Sequence, residues 1–312
     1  MRSNRPISLA IPAFCGWTAN CSGFCPEGLD SVGSVLAWTD GICSVSRFKS
    51  TGGAAKFYYR YEGLVEALVD FLTQKIELWP LDADCTQATL DHFLADVLLP
   101  GILDHQGALV LHSGAVIIEG SAALLVGGSG RGKSTLTASF YADGYTVLSD
   151  DGIIVTGSDT GARVEAVYPG IRLLPGTLSD LFADPVQTTE VAHYAAKRRI
   201  VPDARMSAAS FPAAALFFLA ESSGTDSPSI CLMGAADACI GLVSQSFALD
   251  PSDTLRARSR IEQAARLTAA LPVFALDYPR DFASLPQVRQ AIVAALGGGH
   301  ATGLQCQDQV SG

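Results

Sequence analysis

The run Gly127-Gly128-Ser129-Gly130-Arg131-Gly132-Lys133-Ser134-Thr135 satisfies the spacing G-x-x-x-x-G-K-[ST], and an acidic pair, Asp150-Asp151, follows it. Glycines in such a run let successive backbone N–H groups turn inward. The following helix N-terminus adds partial positive charge, and Lys133 adds a full one. The chemistry expected of it is a cradle for a polyphosphate, with the Ser134 hydroxyl on the magnesium ion that accompanies the β- and γ-phosphates. Two adjacent carboxylates suit the other half of a phosphoryl transfer. One can bind the ion while its neighbour takes a proton from an attacking hydroxyl, and their mutual repulsion raises the pKa of one member.

These groups do chemistry only if the chain brings them together. Residues 122–126 read as a short buried strand, 134–143 as a helix ended by Gly144 in a left-handed cap, and 145–149 as the next strand. Asp150 and Asp151 then fall at that strand's end. In a parallel sheet the carboxyl ends of neighbouring strands face one crevice, so parallel pairing is expected to carry the acidic pair to the loop. Taken alone, Asp150-Asp151-Gly152 would read as an exposed turn; the loop one helix upstream turns the reading toward chemistry.

The succession Leu111-His112-Ser113-Gly114-Ala115-Val116, the glycine loop, Gly144-Tyr145 and Ser149-Asp150-Asp151 resembles the catalytic core of HPr kinase/phosphorylase and its relatives. Further matches are Tyr168-Pro169-Gly170-Ile171-Arg172-Leu173, Lys197-Arg198-Arg199 and Asp277-Tyr278-Pro279-Arg280-Asp281, and the resemblance runs from about residue 90 to about residue 296. Within the group the chain looks closest to the HPr-kinase-like proteins of lasso peptide clusters, which phosphorylate the precursor peptide on its C-terminal serine. The resemblance implies an α/β fold with a P-loop kinase core of HPr kinase and phosphoenolpyruvate carboxykinase type, ATP and Mg2+ as cofactors, a precursor peptide as partner, and assembly as a homo-oligomer.

Carried over, the resemblance implies that Asp150 and Asp151 share the metal and general-base roles, with Asp151 favoured as base and Ser134 and Asp150 nearer the metal. It implies that His112 lies beside them, tuning their protonation or orienting the acceptor hydroxyl. Arg172 becomes a candidate for neutralising charge on the transferred phosphoryl group. Its surroundings lack the Glu-Ile-Arg-Gly signature of true HPr kinases, which counts against HPr as substrate. Lys197-Arg198-Arg199 reads equally as a phosphate or carboxylate site and as a solvated basic turn, while Tyr278-Pro279-Arg280 reads as a strand end packed on the core.

Composition bounds the rest. At 312 residues, with 48% hydrophobic residues and mean hydropathy +0.28, the chain can bury a large core. A net charge of −10 argues against nucleic acid and anionic membrane as partners and fits a basic peptide. Residues 206–220 are uncharged but too short to span a bilayer and read as a buried strand. Arg2 and Arg5 precede an apolar stretch, Ile7 to Phe14, that Pro12 interrupts; a first strand is expected there rather than a leader, in a cytoplasmic enzyme. The eight cysteines show no C-x-x-C pair, so buried reduced thiols are expected and no metal beyond magnesium.

Three regions are expected: a smaller β-rich module for substrate recognition or assembly over residues 1–85, the catalytic region over 86–296, and a tail from Gly297 to the end. Within them, residues 86–105 read as a helix despite Pro100. A hairpin about Gly120 pairs 116–118 with 124–126. Helices are expected over 254–271 and 285–296, with a strand over 272–276 between them. Other readings of the same residues are a kinase of another protein or small-molecule hydroxyl, and a nucleotide-responsive binding protein without transfer.

Overall fold

A computed structural model describes residues 5–7, 16–23, 34–48, 56–158, 161–221 and 223–297. The apolar residues 8–14, Cys15, Cys25, Cys306 and the tail beyond Gly297 lie outside the described residues.

Among the described residues seven strands form the first sheet: β1 (Arg5–Ile7), β2 (Thr18–Cys21), β3 (Ser34–Thr39), β4 (Cys43–Phe48), β5 (Lys56–Tyr61), β6 (Val65–Asp70) and β7 (Lys75–Pro80), in the order β1-β2-β7-β6-β5-β4-β3. The two-residue period of a strand puts Phe57 and Tyr59, Val65, Ala67 and Val69, and Ile76 and Leu78 on one buried face. That face is covered by a helical rod made of α1 (Gln87–His92), a π-wound segment (Phe93–Leu98) and α2 (Leu99–His105). Thr86 caps its start, its hydroxyl accepting from the Thr89 N–H at 3.3 Å.

The expected helix over 86–105 is thus present but rewound in its middle. Pro100 lacks an N–H, and its ring would strike the carbonyl four residues back, at Asp96, in a regular α-helix. In the wider winding the Leu99 N–H donates to the Leu94 carbonyl, five residues back, and the rod continues. Phe93, Leu94, Leu98, Leu99 and Ile102 bury against the first sheet in a cluster that continues to Val110, Ile154, Val167 and Leu249. The rod is therefore packed between the first sheet and the strands that carry the candidate site.

The second sheet contains β8 (Leu109–Ile118), β9 (Ser121–Val126), β10 (Thr146–Ser149), β11 (Gly152–Ser158) and β12 (Gly161–Ala166). It is completed by β16 (Phe211–Leu219), β17 (Ser229–Leu232) and β18 (Val273–Asp277). A small sheet of β13 (Arg172–Leu173), β14 (Thr188–Glu190) and β15 (Arg198–Ile200) lies beside it. The remaining helices are α3 (Lys133–Ala142), α4 (Pro175–Leu181), α5 (Ala235–Ser244), α6 (Thr254–Ala270) and α7 (Leu285–Gly297). Alternation along β8 sends Val116 and Ile118 into a core shared with Leu136 and Phe140 of α3 and Val288 and Ile292 of α7. It sends Ala115 and Ile117 into another, shared with Leu242 of α5 and Ala264 and Leu267 of α6. The result is a mixed sheet between two helical layers. No helix among the described residues is long and apolar enough to cross a membrane.

Two expectations about pairing change. The β8–β9 hairpin turns through Glu119 (φ 50°) and Gly120 (φ 80°), which fixes a two-residue loop and sets 116–118 against 121–123. Residues 124–126 consequently face 113–115, not 116–118. The strand before the acidic pair also ladders with no parallel strand among the described residues, making only isolated parallel bridges to Met206 and Gly170: β10 runs antiparallel to β8, which runs antiparallel to β9. Two reversals leave β9 and β10 pointing the same way on either side of β8. Their carboxyl ends reach the same edge by that route.

Candidate functional site

At that edge the chain leaves β10 at Ser149 and enters β11 at Gly152, still running along β8, with Ser149 opposite Ala115 and Gly152 opposite His112. Asp150 and Asp151 occupy the break between the two pairings. The Ser113 N–H holds the Asp151 carbonyl at 2.8 Å, and the Asp150 N–H donates to the Gly170 carbonyl at 3.1 Å. Asp150 is only 3% exposed, so this is not the open Asp-Asp-Gly turn that the three residues alone would suggest.

The glycine loop leaves β9 at the neighbouring strand end and winds through Gly130 (φ 78°) and Gly132 (φ 89°) into α3. At Gly132 a Cβ would lie 2.8 Å from the Tyr278 hydroxyl, so both backbone conformation and space require glycine there. Helix α3 sits down on β8 at Gly114, where a Cβ would come within 2.3 Å of Thr137 Oγ1. That close approach keeps the loop and His112 at one edge.

Lys133 turns back over the loop, its Nζ donating to the Gly127 carbonyl at 2.5 Å and to that of Gly128 at 3.0 Å. Burial pulls its pKa down, and Asp151 and Asp150 partly restore it. Lys133, Ser134, His112, Asp150, Asp151 and Arg172 line one cleft, as do Ser129, Gly130, Gly132 and Thr135. Gly127, Gly128 and Arg131 are not on its wall; Arg131 instead pairs with Glu221 beyond β16.

Arg172 organises the acidic side. Its guanidinium lies 2.6 Å from Asp151 Oδ2, 3.6 Å from Asp150 Oδ1 and 2.7 Å from Asp96 Oδ2, and its backbone N–H donates to Asp150 Oδ2 at 3.3 Å. His112 Nδ1 stands 2.7 Å from Asp151 Oδ1. The two carboxylates are driven apart. Burial pushes the Asp150 carboxyl up, Arg172 opposes this and Asp151 adds to it, and the net direction is upward. Burial also pushes Asp151 up, but the hydrogen bond from His112 and the charge of Arg172 outweigh it and hold that carboxyl well below the usual range.

The Ser134 hydroxyl stands beside Asp150 on the cleft wall and opposes the rise of that carboxyl's pKa, so the two oxygens are placed to face one divalent cation. Among the described residues no group of three or more His, Cys, Asp or Glu side chains could hold a metal ion alone. Magnesium commonly takes one or two carboxylates together with substrate phosphates, so a buried carboxylate beside a loop hydroxyl fits it. A carboxyl whose pKa rises on folding opposes folding wherever the unfolded chain is ionised. The penalty vanishes below the ordinary value of 3.8 and is complete above the raised value. Asp150→Asn is therefore expected to raise the Tm of the nucleotide- and metal-free protein near neutral pH. Thermal denaturation across pH checks this: the gain should shrink as pH falls toward 3.8.

Asp96 is the site residue that motif reading missed. It lies in the π-wound segment ahead of Pro100, and besides Arg172 it takes Arg199 Nη2 at 3.5 Å and His92 Nδ1. An Asp inside a helix carries no motif; the available signal was Pro100 four residues later, where a regular helix could not continue. Arg199, cross-strand from Arg172 and stacked over Tyr168 at 4.7 Å, is buried rather than part of a solvated turn. Arg280 stacks on the buried ring of Tyr278 at 3.8 Å, as expected for a packed strand end. Asp96→Asn is expected to cost about 10- to 100-fold in turnover, the order of one charged hydrogen bond. Steady-state kinetics would check it, with nucleotide affinity little changed.

No protein-family model matches this chain, and no curated protein matches it. Among solved structures, the HPr(Ser) kinase/phosphatase from Coxiella burnetii is similar over 60% of this chain and 97% of its own, at 10% identity and a TM-score of 0.31. A likeness at that level carries no argument about activity.

Proposed function

We propose that this chain is an ATP- and magnesium-dependent kinase that transfers the γ-phosphoryl group to a serine hydroxyl of a peptide. The observation that carries the reading is the convergence of the glycine loop, Lys133 and Ser134 with Asp150, Asp151, His112 and Arg172 in one cleft. A module that only bound nucleotide would need the loop but not a second carboxylate paired to a histidine.

Each group has a task in that reaction. Lys133 and the loop N–H groups bind the polyphosphate, while Ser134 and Asp150 would hold the magnesium ion. When bound, that ion neutralises charge on the β- and γ-phosphates. Asp151 accepts the proton of the serine hydroxyl as that oxygen attacks phosphorus and the bond to the β-phosphate breaks. Before nucleotide binds, His112 and Arg172 together hold Asp151 in its low-basicity form. Phosphoryl oxygens entering the cleft compete for the Arg172 donors, loosening that hold and raising the basicity of Asp151 as the acceptor arrives. His112 keeps the carboxylate oriented from its other side.

The acceptor we favour is the C-terminal serine of a lasso peptide precursor, on the motif resemblance described above. In this reading the core has the HPr kinase and phosphoenolpyruvate carboxykinase type of fold. Residues 1–85 recognise the peptide or mediate homo-oligomer assembly, residues 86–296 perform transfer, and the enzyme works in the cytoplasm. The net charge of −10 favours a basic peptide over nucleic acid or membrane. The test is ADP formation with a serine-terminated precursor and with the same peptide ending in alanine. Release only with the first supports the reading. ATP binding without release with either peptide would favour another acceptor or a nucleotide-responsive binding protein.

A further inference from the structure

We propose that Lys197 contacts the terminal phosphoryl group of the bound nucleotide in addition to Lys133 and Arg172, presented by a loop that His193 clasps to the rod; this rests on the nucleotide reading above.

Three cationic or potentially cationic groups of the cleft are already engaged. Lys133 donates to two loop carbonyls, Arg172 is surrounded by Asp96, Asp150 and Asp151, and His112 is paired with Asp151. Lys197 lines the same cleft beside Lys133, Ser134 and the acidic pair, yet has no hydrogen-bond or ion-pair partner among the described residues. A terminal phosphoryl group adds negative charge next to two carboxylates. An exposed ammonium on the same wall meets that charge without first breaking an internal contact.

The loop that carries Lys197 is held at both ends. On one side β15 pairs with β13, setting Arg199 opposite Arg172. On the other, His193 Nε2 lies 2.9 Å from Asp82 Oδ2 and Nδ1 lies 2.9 Å from Thr89 Oγ1, while the His193 backbone N–H donates to the same hydroxyl at 3.0 Å. Thr89 is buried in α1, and Asp82 lies on the link between β7 and α1. Only residues 194–197 separate the clasp from β15, so the reach of Lys197 is set by where His193 is pinned. His193 is thus a positioning residue, acting through Lys197.

The test is calorimetry on the full chain with magnesium, comparing ADP with a non-hydrolysable ATP analogue. Lys197→Ala is expected to weaken the analogue about tenfold or more and to leave ADP affinity within about twofold, the discrimination of one charge-assisted contact. Lys197→Arg should recover most of the loss. His193→Ala should reproduce a smaller part of it and add nothing to the analogue-to-ADP ratio in the Lys197→Ala background. Equal weakening of both ligands by Lys197→Ala, or of neither, overturns the inference alone. Wild-type protein that binds neither ligand overturns the nucleotide reading, and this inference with it.

Discussion

Asp151→Asn is expected to lower the turnover number by about 10²- to 10⁴-fold, the usual contribution of a positioned general base, while leaving ATP affinity close to that of the wild type. The substitution preserves shape and keeps an oxygen for Arg172 or His112, both of which lie within 2.7 Å of the carboxylate. What it removes is the ability to take the acceptor's proton. Because Asp151 of the free protein is held charged well below the usual carboxylate range, wild-type kcat/KM should persist to moderately acid pH before loss of this group limits it. Single-turnover transfer measured beside nucleotide binding separates the effects. Unchanged transfer would remove Asp151 from the chemistry.

Lys133→Ala should act on the other half of the site. The ammonium is worth about 1.5–3 kcal/mol as a charged donor, so nucleotide affinity should fall by about 10- to 100-fold, with turnover falling below detection. Removal also takes away the two donations that draw the loop over the Gly127 and Gly128 carbonyls, which loosens the cradle before any ligand arrives. Burial already opposes the charge of Lys133, so stability should change much less than binding. Titration calorimetry with ATP and thermal denaturation on the same preparation would check both. A variant that bound ATP like the wild type would contradict the cradle.

The local elements of the core were legible in the sequence because local rules dictate them. The loop spacing, the cap at Gly144 (φ 91°), the strand ending at Ser149 and the long α6 follow from glycine geometry and side-chain period. Pairing was not legible, because short strands buried on both faces, such as β9 and β10, read as continuous runs with no alternation to tell a parallel from an antiparallel neighbour. The break that seats Asp150 and Asp151 depends on β8 bonding β10 with one part of its length and β11 with another, which neither segment records alone. Asp96 stayed hidden for a related reason: its partners Arg172 and Arg199 are more than seventy residues away, and only the rewinding ahead of Pro100 marks the place. His193 likewise has no motif; its partners come from the link and helix that precede β8.

The most direct test of the central claim is mass spectrometry of a lasso precursor peptide incubated with the protein, ATP and magnesium, with Asp151→Asn in parallel. Wild-type protein should add one or more phosphates, mapped to the C-terminal serine, and the variant none. An unmodified peptide with wild-type protein that binds ATP, or equal modification by both proteins, would contradict the claim.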